Sequence, residues 1–399
     1  MLSLLYRTVL YFTLLYTTHI QTSQQMEEDT LYQLALTRTP GIGTAHTKKL
    51  VDHFGSAKAI FRAEKKALTQ AKIPHEAADR ITGFRDWATL ENELALLDKK
   101  GIRTLLSSDK DYPRRLLQCP DAPPLLFYKG KADLNTKKII SVIGTRGPSE
   151  YGRQITEQLI RQLTQPDLLI ISGLAYGIDG CAHTAALKNN IPTVGILGHG
   201  LAHMYPHEHT RLAGDMLAKG GLLTSFPLNT SPEPFRFAMR NNLVAGLCDA
   251  LIVIETGKKG GSLLTVEKAQ AYQKKIFTVP GKLTDSRSTG CNWLIQQGKA
   301  ELLLSGQQLQ ASMGWEWPAG QKGIQPRLPF GTAGNTHPAI EQKPQEKILL
   351  KLLTETKSLS LDELATKSQL EISAVAIHLL NLELQGLISP LPGQRYRLS

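Results

Sequence analysis

Arg146 stands in Ile143-Gly144-Thr145-Arg146-Gly147-Pro148-Ser149, just after a short apolar run. Its guanidinium is a planar fork that can grip two phosphate oxygens, and flanking glycines let backbone N–H groups approach an anion. Similar glycine-punctuated phrases follow: Ser172-Gly173-Leu174-Ala175-Tyr176-Gly177-Ile178-Asp179, then Gly198-His199-Gly200, then Glu255 to Ser262. In the last of these, Gly260-Gly261-Ser262 opens a helical stretch and forms a second anion nest, with Lys258 and Lys259 adding charge. Some of these residues have two readings. Arg146 either meets phosphate or pairs on the surface with Glu150. Arg240, followed by Asn241 and Asn242, either reaches the same crevice or braces the sheet. Phe235 and Phe237 either stack bases or fill core.

The elements that must hold these loops are short β-branched runs: 139–143, 168–171, 193–197, 250–254 and 276–279. Each stops at a glycine-rich loop, and helical stretches such as 150–163 and 263–272 come next, the pattern of a parallel sheet with helices between strands. The expected fold class is therefore α/β, with a Rossmann-like, mostly parallel sheet. In such a sheet the loops at the carboxyl ends of the strands share one edge, so the glycines should converge on one crevice.

Enzyme chemistry finds little support. Asp179 and His183 are four apart at a helix start, but an Asp there is first of all an N-cap and its neighbour a packing residue. His199, His203, His207 and His209 are too irregular for a metal site, and no Walker, HExxH or GxGxxG phrase occurs where it would be needed. No catalytic set, cofactor or metal is expected.

Lys and Arg outnumber Asp and Glu by 46 to 35, a net charge of +11 that favours polyanionic partners. Four cysteines, at 119, 181, 248 and 291, lack ligand or disulfide-framework spacing, which fits a reducing cytoplasm. Residues 1–25 are apolar and aromatic, yet Arg7 and several threonines interrupt them. The expectation is a mis-called start with translation beginning at Met26, a membrane anchor being the alternative.

The flanks divide the chain further. Residues 26–104 read as a small helical domain in which Pro40-Gly41-Ile42-Gly43-Thr44, with Lys48, resembles the phosphate-binding turn of a helix-hairpin-helix; an ordinary glycine turn is the alternative. Residues 105–305 hold the sheet, beginning with a proline-rich connector that has one strand near 102–105. Residues 306–341 read as a linker rich in Gly, Pro and Gln. Residues 342–399 resemble a winged helix-turn-helix whose third helix carries few cations, so that a protein contact is as good a reading as duplex DNA.

Several phrases stand in the order of a known family. They are Ile143-Gly144-Thr145-Arg146, Ser172 to Asp179 with Ala182-His183 and Ala186-Leu187, Tyr205-Pro206, Phe237 to Asn241, Gly261 to Thr265, Val279-Pro280-Gly281 and Gly290 to Ile295. With them the chain resembles the DNA-processing protein A (DprA/Smf) family across residues 105–305. The resemblance implies a protein that binds single-stranded DNA without cleaving it, forms homodimers, protects incoming strands and loads a RecA-type recombinase in natural transformation. It implies DNA contacts at Gly144, Thr145, Arg146, Ser172, Gly173, Gly177, Arg240, Asn241, Lys258, Lys259, Gly260, Gly261 and Ser262. Three places depart from the family: Asn242 where a third basic residue is usual, Thr224-Ser225 where Ser-Glu is usual before the proline at 227, and Ala202 where an Asp is usual. Asn242 is expected to remove one cation from the pocket. The alternative is a nucleotide phosphoribohydrolase resembling the LOG proteins, with Glu267 as its carboxylate, although Leu263 and Leu264 stand where its motif needs Gly and Thr.

Overall fold

The structure, a computed structural model, describes residues 28–71, 73–163, 166–315, 344–356, 358–384, 387–391 and 395–398. The expectations for residues 1–25 and for most of the linker lie outside these. Two compact units divide the chain, Met1–Gly323 and Ile324–Ser399.

The first unit opens with six helices: α1 (28–38), α2 (Thr44–Phe54), α3 (Ala57–Arg62), α4 (Lys65–Gln70), α5 (His75–Thr82) and α6 (Trp87–Lys99). Leu36, Leu50, Ile60, Leu68 and Ile81 meet in their common core. Tyr32, Phe61, Phe84 and Trp87 add a ring cluster with centroids 4.8–5.9 Å apart. A second cluster joins Leu34, Leu90 and Leu97 to Leu106, Leu125 and Phe127, so the helices pack on one edge of the sheet.

That edge is β1 (Arg103–Leu106), followed by the short α7 (Arg114–Leu117) and β2 (Leu125–Gly130). The connector thus contains a second strand, which the neighbouring Pro120, Pro123 and Pro124 hide in the sequence. β3 (Lys138–Ile143), α8 (Glu150–Gln162), β4 (Leu168–Ser172), α9 (Ile178–Lys188) and β5 (Thr193–Ile196) then alternate. After α10 (Thr210–Met216) come β6 (Gly221–Thr224), α11 (Pro234–Leu247), β7 (Ala250–Val253), α12 (Ser262–Ala271), β8 (Lys275–Thr278), α13 (Thr289–Gln296), β9 (Glu301–Leu302) and α14 (Gly306–Ser312).

These strands form a nine-stranded sheet in the order β1-β2-β6-β5-β4-β3-β7-β8-β9. The β1–β2 and β2–β6 pairs are antiparallel and the rest parallel. The expected mostly parallel α/β architecture is present. Central strands such as β3 are apolar on both faces because helices cover both. Ile139 and Leu251 pack with Leu243, Val244 and Val266 under α11 and α12, whereas Ile140, Val142 and Ile252 pack with Leu159, Ile160 and Ala185 under α8 and α9. Each fully buried Ile or Leu stabilises the fold by about 1.5–3 kcal/mol, enough for the alternation to fix which loops face which way. Helix α14 begins the segment expected to be linker, but Leu309 is buried in the α8-side core and Gly306 N–H donates to Gln162, so its first turns belong to the sheet layer.

The C-terminal unit has α15 (Pro344–Thr354), β10 (Leu359–Ser360), α16 (Leu361–Ser368), α17 (Ile372–Leu384), β11 (Ile388–Leu391) and β12 (Arg395–Leu398). Ser360 and Glu363 form a capping box that starts α16. β12 pairs with both β10 and β11, which makes the wing.

Candidate nucleic-acid interface

Strand order reverses between β3 and β7, where chain order runs outward on both sides. The loops after β3, β4, β5 and β7 therefore line the carboxyl edge of the sheet, the usual ligand position of an open α/β fold. A recess at this edge is lined by Arg146, Gly173, Ala175, Tyr176, Leu197, Gly198, His199, Tyr205, Phe237 and Arg240.

Arg146 is exposed, and its guanidinium carbon lies 5.9 Å from the centroid of the Phe237 ring. Among the described residues it makes no ion pair, and Glu150 instead approaches Arg153 at 4.0 Å. The Phe237 ring neighbours Tyr205 at 5.3 Å, and Tyr205 neighbours Tyr176 at 6.4 Å. Tyr176 and Tyr205 are 38% and 39% exposed, so an aromatic wall stands beside a free cation. The Tyr176 hydroxyl donates to Glu208 at 2.6 Å, a bond that pushes its pKa up to about 12 and holds Glu208 below the usual carboxylate range. The recess itself measures about 10 Å³, room for roughly one water, so a larger ligand would lie across its rim.

Arg240 has the opposite placement. It is buried on α11, with Nη1 donating to the carbonyl oxygens of Gly173 and Ile196 at the ends of β4 and β5. Burial lowers its pKa, and the Asp179 carboxylate beside it opposes that effect. Asp179 also accepts from the N–H groups of Gly173 at 3.1 Å and Ala175 at 3.3 Å. Desolvation raises the Asp179 pKa, partly countered by Arg240. Asp179 lies in the first turn of α9 behind the N-cap Gly177, whose φ of +82° suits glycine; a side chain there would also meet the Thr145 carbonyl. His183 is fully buried, its Nδ1 2.7 Å from the Thr193 hydroxyl, and burial pushes its pKa down to about 3. Asp179 and His183 thus tie α9 to the sheet.

The structure brings Arg146, Gly173 and Arg240 into one recess, with Gly144, Thr145, Ser172 and Gly177 in its supporting loops. It does not place Asn241, Lys258, Lys259, Gly260, Gly261 or Ser262 in the lining. Lys258 and Lys259 are exposed after β7, and the Ser262 hydroxyl donates to Thr256 at 2.7 Å. Asn242 donates to Asp121 at 2.9 Å, beside Lys268 and Tyr272. Two residues on from Arg240, it falls on another face of α11, so the expected loss of a cation from the pocket is not what its substitution does. In the N-terminal helices Gly43 caps α2 without a side-chain bond, Lys48 is exposed, and the Pro40 carbonyl next to Gly41 accepts from Arg80 at 3.0 Å. Tyr176 and Tyr205 were visible only as parts of phrases; chain order alone does not bring a loop after β4 beside one after β5.

Residues 103–314 match the family described as DNA recombination-mediator protein A. The chain belongs to the DprA/Smf family. Residues 334–394 match the DprA winged helix domain. Protein Smf from Synechocystis is 31% identical over 392 residues, covering 92% of this chain and 98% of that protein. Protein Smf from Escherichia coli is 31% identical over 337 residues, covering 83% and 86%. The crystal structure of DprA from Streptococcus pneumoniae superposes with a TM-score of 0.63 at 32% identity, covering 72% of this chain and 98% of that one. The DprA family is one of DNA-binding mediators rather than enzymes, and the phosphoribohydrolase alternative is not favoured. Its carboxylate, Glu267, is exposed on α12 and does not line the recess.

Proposed function

We propose that the chain binds single-stranded DNA without cutting it, laying successive nucleotides across the rim of the carboxyl-edge recess. Arg146 carries the reading: an exposed, unpaired guanidinium beside the rings of Phe237, Tyr205 and Tyr176 suits a phosphate next to a stacked base. Phe235, two residues before Phe237 on α11, falls on another face of the helix, 56% exposed with Arg236 over its ring, and is not part of this surface. Arg240 acts from behind, fixing the Gly173 and Ile196 carbonyls. Lys258, Lys259 and the N–H groups of Gly261 and Ser262 would take further phosphates along the edge, the Gly260 N–H being given to the Gly257 carbonyl, and the hairpin at Gly41, Gly43 and Lys48 another.

The same reading extends to protecting incoming strands and loading a RecA-type recombinase in natural transformation, by a cytoplasmic homodimer. The family's description as a recombination mediator supports it. Among the described residues no helix is long and apolar enough to cross a membrane.

The test is titration of a fluorescent oligothymidylate at two salt concentrations. Binding that weakens steeply with salt is expected, because each phosphate contact releases counterions. No binding at low salt would overturn the proposal.

A further inference from the structure

In a doubly wound sheet a nucleotide phosphate sits at the strand-order reversal, on the N-terminus of the helix after the first strand. Here the reversal lies between β3 and β7, and the helix is α8. That position is taken. Glu255, just beyond the carboxyl end of β7, is 1% exposed, and its carboxylate accepts from the Ser149 N–H at 2.9 Å and from the Ser149 hydroxyl. The same hydroxyl accepts from Gly152 N–H at 3.0 Å, capping the helix. A Cβ at 152 would come within 2.4 Å of Glu255 Oε2, so any larger residue there would have to displace the carboxylate.

The other end of the loop is also tied to this residue. The Glu255 carbonyl accepts from Thr145 N–H at 2.8 Å. One residue therefore clamps both ends of the Thr145–Ser149 loop, and Arg146 projects from between the clamps. Among the described residues no Lys, Arg or His lies within ion-pair distance of Glu255, whose carboxylate meets the α8 N-terminus and Ser149 instead.

We infer that Glu255 is the chain's built-in substitute for a nucleotide phosphate. It closes the anion position of α8 to mononucleotides and turns that anchorage into a clamp that holds Arg146 outward. Glu255 is thus a positioning residue for the polymer site. The clamp half of the claim rests on the reading of Arg146 as a DNA contact; the occupied-site half does not.

The test uses the full chain with Glu255→Ala and Glu255→Gln, folding being checked by circular dichroism. Calorimetric titration with inorganic phosphate should show saturable binding to Glu255→Ala and none to the native protein. Oligothymidylate affinity should fall about fivefold in either variant, the scale of a lost charge contact at a helix N-terminus. That loss should disappear when Arg146→Ala is already present. A folded Glu255→Ala that binds no phosphate overturns the occupied-site claim. Should Glu255→Ala not fold, Glu255→Gln decides: weakened oligonucleotide binding masked by Arg146→Ala supports the clamp, and native-like binding overturns it. Failure of Arg146→Ala itself to weaken DNA binding would instead strike the proposed function, with the phosphate titration still deciding the Glu255 site.

Discussion

At the carboxyl edge of the large sheet the exposed groups include a guanidinium, two lysines and aromatic rings, whereas on α17 of the C-terminal unit the large exposed side chains are Ile372, Ile377 and Leu380. No Lys or Arg occurs between Ile372 and Leu384. Both regions belong to folds that meet nucleic acid elsewhere: the winged helix through its third helix, the doubly wound sheet through phosphate at its loops. The fold presents a surface, and the side chains on it choose the partner. By that rule the sheet edge is suited to a polyanion and α17 to an apolar protein face.

The largest effect that separates the two regions should come from Arg146→Ala. Losing one charge-assisted phosphate contact is expected to weaken single-strand binding by about 1–3 kcal/mol, leaving the melting curve near native. The salt dependence should flatten by roughly 0.7 in logarithmic slope, one phosphate's share for a single strand. Fluorescence anisotropy across a salt series measures both, and an unchanged curve would mean that Arg146 does not meet the strand.

Acid should distinguish the two regions next. His183, pushed down to about 3 by burial, stays neutral in the folded sheet unit, while the unfolded chain protonates near pH 6.5. The unfolded state then binds the extra proton, so the stability contribution is complete above about pH 6.5 and is lost as pH falls toward 3. By pH 5 the loss from this one group is on the order of 2 kcal/mol. His199 is shifted down by burial as well and adds in the same direction. In the C-terminal unit His378, the one described histidine, lies 3.4 Å from Glu346 and is not fully buried as His183 is. Urea midpoints at pH 7.5 and pH 5, followed by tryptophan fluorescence, should therefore shift for the sheet unit. The shift should shrink in His183→Asn; an equal shift in that variant would remove His183 as the cause.

Much of the fold is legible in the sequence alone. Strands β3, β4, β5, β7 and β8 announce themselves because strands covered on both faces need unbroken β-branched runs, and Arg146 because a cation between glycines has few structural uses. The rest was hidden for physical reasons. β2 sits beside prolines and pairs with β6 some ninety residues onward, a contact that no local pattern encodes. Arg240 reads equally well as ligand or brace until α11 is seen to aim it at two carbonyls. Asn242 does not bear on the recess as its place beside Arg240 suggests, because two positions on a helix differ by about 200° of rotation. Glu255 reads in the sequence only as the first residue of a glycine-punctuated phrase, since its role depends on Ser149, a residue 106 positions away.

The aromatic wall offers a finer cut through the sheet edge. Replacing Tyr205 with Ala should cost oligonucleotide binding about 1 kcal/mol, the lower range for one stacked base, with little change in salt slope because no phosphate contact is lost. Tyr176→Phe keeps the ring and removes only the bond to Glu208, so its effect should be smaller still. A Tyr205→Ala variant that changes the salt slope as Arg146→Ala does would show that the ring orders the cation rather than stacking on a base.

The smallest effect on DNA is expected where the comparison is most exposed to failure, on α17. Ile377 is 61% exposed, so Ile377→Lys should leave stability within about 0.5 kcal/mol of native. A helix that read DNA would gain from the new cation; a helix that docks protein gains nothing on DNA and loses its apolar contact. Oligonucleotide and duplex affinities unchanged within error would keep the two surfaces distinct. Duplex binding that tightens in Ile377→Lys, with a steeper salt dependence than native, would show that α17 already lies against phosphate and that its apolar face is no barrier to reading DNA.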